Sequence, residues 1–316
     1  MTTQLRNRMT RLVIRQSTTL LLLMVLISSV CCALRSGAAE SSSMTATPLR
    51  VMSFNIRHGK AKDGENHWDH RHDLVVKTIH DFQPDLLGTQ EVLDFQATFL
   101  RQQLPEYEFV GVGRNDGKLK GEMTAIFYRR DRFKKITEGH FWMSETPEVP
   151  GSKSWDTSLS RMTSWVELQD VQSEKHLFLF NTHFDHRGQQ ARLESAKLLR
   201  QMAIDLSKDT PFIIIGDFNA PAHMDLGKTH ETLLHGDRSD GITLLDTFQV
   251  LHPEEVRGVT TFGGFKDRIH GPRIDWIIVS EGFKIQASSI VRTSYNGSFP
   301  SDHYPVTAIL ESPGNN

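Results

Sequence analysis

Phe212-Ile213-Ile214-Ile215-Gly216-Asp217-Phe218-Asn219 runs from an apolar stretch straight into polar side chains. Its first half is short and rich in β-branched and aromatic residues, so it reads as a strand. Asp217 and Asn219 are two apart, and in an extended segment they face the same side. A capped turn explains the same residues, since Asp and Asn both close turns and Pro221 follows. The pattern of apolar run and polar island recurs at Ser53-Phe54-Asn55, Gln90-Glu91, Asn181-Thr182-His183, Arg273-Ile274-Asp275-Trp276 and Ser301-Asp302-His303. Any one island is an ordinary strand end. Together they collect the residue types that bind a hard cation and a phosphate.

Working outward, strands are expected over 50–56, 85–89, 123–129, 164–168, 176–182, 212–215, 274–279, 285–292 and 304–310. Helical spacing appears in Val75, Ile79 and Phe82, and again in Ala191, Ser195, Leu198, Leu199 and Met202. This mixed alternation favours an α/β (α+β) fold of two mixed sheets packed face to face with helices outside. No Gly/Ser-rich or charged stretch divides residues 49–311, so one domain is expected there, with a polar tail over 312–316.

Residues 1–39 carry Arg6, Arg8, Arg11 and Arg15, then the apolar run from Leu20 to Val30, then small residues ending in Gly37-Ala38-Ala39. That is the layout of a cleaved secretory leader, followed by a linker over 40–48. The run is short for a membrane span, which needs about 20 residues. An uncleaved anchor starting near Leu12 is the competing reading. The leader holds five Arg and no acid, so its removal takes the formal charge from −2 to about −7. Long nucleic acids are usually held by basic surfaces, so this balance argues against a general polyanion binder. Cys31 and Cys32 are the chain's two cysteines and both lie in the leader, so an exported product depends on its core alone.

In order and spacing, the islands resemble the endonuclease/exonuclease/phosphatase superfamily, the DNase I-like metal-dependent phosphoesterases. Gly216-Asp217-Phe218-Asn219 followed much later by Ser301-Asp302-His303 is the most specific pair, and the resemblance covers roughly 49–310. It implies a four-layer sandwich, two mixed sheets flanked by helices, with the active site where strand ends from both sheets converge.

Hydrolysis of a phosphate ester needs the nucleophile's charge offset and the leaving oxygen stabilised. Mg2+ does both and prefers one or two carboxylates plus water; Mn2+ is the alternative ion. Glu91, at a strand's exit, is the leading ligand candidate, with Asn55 beside it offering an amide oxygen. The resemblance makes Asp217 the base or water-positioner and has Asn219 steady the phosphate. His303 suits charge stabilisation at a phosphoryl oxygen and needs a carboxylate to fix its tautomer. Neighbours on a strand point opposite ways, so Asp275 is the expected partner, and Asp302 turns toward the metal site or nearby backbone. By resemblance His183 contacts the phosphate from the opposite side.

Apurinic endonucleases and exonuclease III carry an Asp where this chain has Arg57, and Asn181-Thr182-His183 resembles the sphingomyelinase, 5-phosphatase and deadenylase branches instead. Arg161, Arg187, Arg114 and Trp155 are candidate substrate contacts, because Arg suits phosphate and Trp suits stacking. The expectation is an exported, Mg2+-dependent phosphoesterase acting on a small or lipid-linked phosphate, without an obligate protein partner. An extracellular nuclease is the nearest alternative. A non-catalytic binding protein on this fold is the other, but Asn55, Glu91, Asp217, Asn219 and His303 are all present.

Overall fold

Strand β8 (Phe212–Asp217) is buried at every position, which explains why its sequence is a continuous apolar run. Ile213 and Ile215 face one core, while Phe212 and Ile214 face another. The computed structural model describes residues 47–222, 228–236, 241–255 and 258–313. The leader expected over 1–39, most of the linker and the last three residues of the tail lie outside the described residues.

The first sheet holds β1 (Leu49–Asn55), β2 (Leu86–Val92), β3 (Tyr107–Val110), β4 (Met123–Arg129), β11 (Lys284–Ile290) and β12 (Val306–Glu311). Its order is β11-β12-β1-β2-β4-β3. The second adds β5 (Phe133–Trp142), β6 (Met162–Asp170), β7 (His176–His183), β9 (Leu244–Asp246) and β10 (Asp275–Ser280) to β8, in the order β5-β6-β7-β8-β10-β9. Each sheet is antiparallel except for one central parallel pair, β1 with β2 and β7 with β8.

Residues such as Val51, Leu86, Leu179, Ile213 and Ile277 fill the core between the sheets. On the outer face of the first sheet, Met52, Phe54 and Leu87 pack on α1 (Trp68–Phe82) and α2 (Asp94–Gln103). On the outer face of the second, Phe180 and Ile214 pack on α3 (Gln189–Ser207) and α4 (Lys228–His235). A short α5 (Thr247–Leu251) follows β9. The result is the expected four-layer sandwich of two mixed sheets flanked by helices.

Polar residues cross the inter-sheet core near the site and pair there, though Gln90 Oε1 has no partner among the described residues. Gln90 Nε2 donates to Asn181 Oδ1 at 2.6 Å, and Asn181 Nδ2 donates to the carbonyls of Thr89 and Ala125 at 3.0 and 2.8 Å. Gly88 permits this approach, since a Cβ there would lie 2.4 Å from Ile215 Cδ1 and 2.8 Å from Asn181 Cγ. Asn181 therefore joins the two sheets rather than meeting a substrate.

Candidate active site

The strand directions decide which side chains meet. The parallel pairs β1/β2 and β7/β8 end at one edge of the sandwich, bringing Asn55, Glu91, His183 and Asp217 to it. Strands β10 and β12 run antiparallel to β8 and β1, so they begin at that edge. Asp275 opens β10, and Ser301-Asp302-His303 lies just ahead of β12. Beneath them, Phe218 stacks on Trp276 at 4.2 Å and meets Phe184 edge-on at 5.1 Å, an aromatic floor that fixes the three strand ends of the second sheet.

Glu91 sits at a β-bulge, where the β2/β4 register shifts between Thr89 and Val92, with φ +62. The bulge turns its carboxylate out of the strand's alternation. Oε2 accepts from the His58 backbone N–H at 2.7 Å and Oε1 from Asn55 Nδ2 at 3.1 Å. Burial pushes its pKa up, but the His303 charge and these two donors outweigh burial and hold it below the usual range.

Asn55 also donates to Asp217 Oδ2 at 2.9 Å, while its oxygen accepts from the Arg57 N–H at 3.0 Å. The amide oxygen expected to help hold an ion thus meets one backbone donor here. The NH2 group bridges the two acids.

Asp217 and Asn219 converge, but not as alternating strand residues. Strand β8 stops at Asp217, and Asn219 takes φ +48 with its N–H on Asp217 Oδ1 at 2.9 Å. The turn reading holds, and the turn itself brings the two side chains together. Burial and the Asp275 charge push the Asp217 carboxyl up to about 7. Its Oδ2 lies 3.5 Å from His183 Nε2 and 3.7 Å from His303 Nε2.

His303 Nδ1 contacts Asp275 at 3.0 and 3.2 Å, the expected partner. Burial opposes protonation of His303, yet the Asp275 and Asp217 charges override it and raise the pKa well above the ordinary value. His183 goes the other way, held well below its usual value by burial and by the Arg161 and Arg114 charges. Asn219 Nδ2 donates to the Phe184 carbonyl at 3.1 Å and lies 3.0 Å from His183 Nε2. His183 Nε2 is therefore an acceptor, and the ring proton sits on Nδ1, which faces Glu122 Oε2 at 3.9 Å.

These groups open onto a cavity of about 430 Å3. Glu91, Asp217, Asn219, Asp302 and His303 line it on the acidic side, with Arg57, His58, Glu122, Leu159, Arg161, His186 and Phe262 completing the wall. Asp302 Oδ2 lies 3.4 Å from Arg57 Nη1, and burial raises its carboxyl. A larger cavity, about 720 Å3, lies where β8 begins and β10 ends, and holds none of these residues. Convergent acids and histidines, not volume, assign the site to the smaller one.

The four expected substrate contacts divide. Arg161 lines the cavity. Arg114 is nearby but committed, its Nη1 2.5 Å from Glu122 Oε2. Arg187 is exposed and Trp155 half-buried, and neither lines the cavity. Asp156 next to Trp155 caps α3, accepting from the Ala191 N–H at 2.7 Å, so this loop is tied to the helix start. Glu122, expected in one substrate-reading loop with Arg114, does line the wall, whereas His58, His186 and Phe262 were not foreseen there.

The family model for the Endonuclease/Exonuclease/phosphatase family matches residues 52–303. The chain belongs to this family. Its members are metal-dependent phosphoesterases, and this chain is accordingly a hydrolase of phosphate esters. A family protein from Bacteroides thetaiotaomicron superposes with a TM-score of 0.74 at 34% identity, covering 84% of this chain and 97% of that one. A mannosyl-6-phosphatase from the same bacterium gives 0.72 at 34% identity, covering 83% and 99%. Mouse nocturnin is 25% identical over 243 residues, 67% of this chain and 51% of nocturnin. The chain thus spans about half the length of the nocturnins it matches.

Proposed function

We propose that this protein is an exported phosphatase that removes phosphate from a small phosphomonoester of the sugar-phosphate kind, using Mg2+ or Mn2+. The observation that carries the reading is the bounded, acid-rich cavity of about 430 Å3 beside the joined strand ends. A duplex needs a basic groove, whereas this wall suits a small anion placed against a cation. The mannosyl-6-phosphatase, similar over 99% of its length, supports a sugar phosphate. The leader-like residues 1–39 support export.

The donor set fits a hard divalent ion. Ligand atoms of Glu91, His183 and Asp217, and of Asp217, Asp275 and His303, lie within 4.8 Å of one another. Glu91 and Asp217 are the carboxylates that would hold an ion, with Asp302 nearby in contact with Arg57 at 3.4 Å. When bound, the ion supplies Lewis-acid polarisation of a phosphoryl oxygen. Asp217, between His183 and His303 at 3.5 and 3.7 Å, is placed to orient an attacking water and take its proton. Protonated His303, locked by Asp275, offers Nε2–H to charge growing on the phosphoryl group. Asn55 keeps Glu91 and Asp217 in fixed relation.

The test is phosphate release by the full chain from hexose 6-phosphates and p-nitrophenyl phosphate, against bis-p-nitrophenyl phosphate and DNA, with Mg2+, Mn2+ or chelator. Cation-dependent turnover favouring the monoesters is expected. Preferential cutting of DNA would replace this reading with the nuclease one. Export is checked by N-terminal sequencing of protein recovered outside the cytoplasm, where an intact residue 1 would refute cleavage.

A further inference from the structure

Two arginines line the cavity, and they differ in what is left for a ligand. Arg57 is engaged on both edges, paired with Asp63 through Nε and Nη2 at 2.9 Å each and lying 3.4 Å from Asp302 through Nη1. Arg161 is only 4% exposed, and its Nε and Nη1 have no hydrogen-bond partner among the described residues. Its Nη2 is held by His186 Nδ1 at 3.0 Å. The nearest acid is Asp185, whose Oδ2 lies 3.7 Å from Arg161 Nε, beyond hydrogen-bond distance.

Asp185 cannot turn to close that gap, because both of its oxygens are already occupied. Oδ2 accepts from the Ser158 hydroxyl at 2.7 Å and the N–H groups of Ser158 and Leu159 at 3.1 and 3.2 Å. Oδ1 accepts from the N–H groups of Arg187 and Gly188 at 2.9 and 2.7 Å. Asp185 therefore supplies countercharge without using up the guanidinium's donors. A buried, charged guanidinium with two nitrogens left unpaired is costly unless a ligand completes it. Arg161 stands just before β6, next to the register pair Thr163↔Thr182, and so emerges beside His183 at the site's edge of the sheet.

We propose that Arg161 is the specificity residue of this site, its under-satisfied guanidinium reserved for the non-bridging oxygens of a terminal phosphate. This rests on the phosphomonoester reading and sharpens it. A monoester dianion has three non-bridging oxygens, so it can meet the cation side of the cavity and still present charged acceptors to Arg161. A diester carries a single charge, and its second substituent occupies the place of one of those oxygens. The rigid planar guanidinium holds its donors at set directions toward charged oxygens in a way that a flexible ammonium cannot. Arg161 thus selects monoesters, with inorganic phosphate as the simplest occupant.

The experiment compares the full-length wild type with Arg161→Met and Arg161→Lys. It reads competitive inhibition by inorganic phosphate, and kcat/KM for p-nitrophenyl phosphate against bis-p-nitrophenyl phosphate. Expected for Arg161→Met is a loss of about 100-fold or more in monoester kcat/KM, with the diester value falling at least about tenfold less, together with relief of phosphate inhibition. Arg161→Lys should recover part of the monoester rate but not the wild-type selectivity. Equal losses on both esters with unchanged phosphate inhibition would overturn the proposal and make Arg161 a packing residue satisfied by buried water. Should Arg161→Met fail to fold, Arg161→Lys decides by the same ratio, an unaltered ratio overturning it. A wild type that turns over only diesters would sink the phosphomonoester reading, and the anion subsite would then stand or fall on phosphate inhibition of the diester reaction in the same variants.

Discussion

Three residues at the cavity hold backbone conformations that non-glycine residues rarely adopt: Arg57 at φ +63, Glu91 at +62 and Asn219 at +48. Each costs on the order of 1 kcal/mol or more and persists because its surroundings fix it. The strain serves aim, since each conformation turns a side chain off its strand direction into the site. Residue identity was legible in the sequence, but this aim was not, because a bulge at Glu91 leaves no compositional mark. Glu91→Gln keeps the shape and removes the charge, so calorimetric titration should show Mg2+ binding weakened at least about tenfold, alongside loss of turnover. Unchanged Mg2+ affinity would remove Glu91 from the ligand set. Asp275 raises a different question, because it partners His303 at 3.0 Å and also belongs to a cluster able to hold an ion. As a positioning residue its Asp275→Asn variant should lose about 10²- to 10⁴-fold in kcat while retaining wild-type metal stoichiometry. Loss of one bound ion per chain would make it a ligand instead.

Among the elements, those with strong patterns were readable and those shaped by their neighbours were not. Strands β1, β4, β7, β8, β10 and β12 fall within a few residues of expectation, because their faces are covered and their composition shows it. Strand β5 went unseen because it is the edge of its sheet, and residues 134–138 along it are exposed and mostly polar. Strand β9 is three residues long, and α5 five, too short for any periodicity. What holds that corner is Asp246, which caps α5 through the Phe248 and Gln249 N–H groups at 3.0 and 3.2 Å. It also pairs with His230 and Arg273 at 2.8 Å each. Burial pushes the Asp246 carboxyl up, but the Arg273 and His230 contacts outweigh it and depress it far below the usual range. Asp246→Ala should therefore destabilise by about 3 kcal/mol or more at neutral pH, read as a lower urea midpoint. A depressed carboxyl stabilises the fold above its unfolded pKa of about 3.9, and this contribution is lost as pH falls from there toward the folded value. The gap between wild type and Asp246→Asn should accordingly narrow from pH 5 downward; a constant gap would mean that the pairing carries no charge dependence.

Across the whole molecule, the site is a seam between two sheets. Glu91 comes from the first, while Asp217, Asp275 and His183 come from the second, and the sheets' own cross-links near it are Gln90 to Asn181 and Asn55 to Asp217. Four acids facing one cavity, Glu91, Asp217, Asp302 and Glu122, repel each other in the folded chain, with Arg57 and Arg114 already committed to Asp63 and Glu122. A cation held there by Glu91 and Asp217 would neutralise that repulsion, and the unfolded chain offers no such site. Mg2+ at about 100 times its Kd should then add about 2.7 kcal/mol to stability. For a domain of this size that corresponds to roughly 5–10 °C in Tm. Differential scanning calorimetry of the full chain in chelator and in rising Mg2+ should show a concentration-dependent increase, largely absent in Glu91→Gln. A Tm indifferent to Mg2+, with turnover intact, would mean that the ion arrives with the substrate, so that the acid cluster is a seat completed by phosphate rather than a resident metal site.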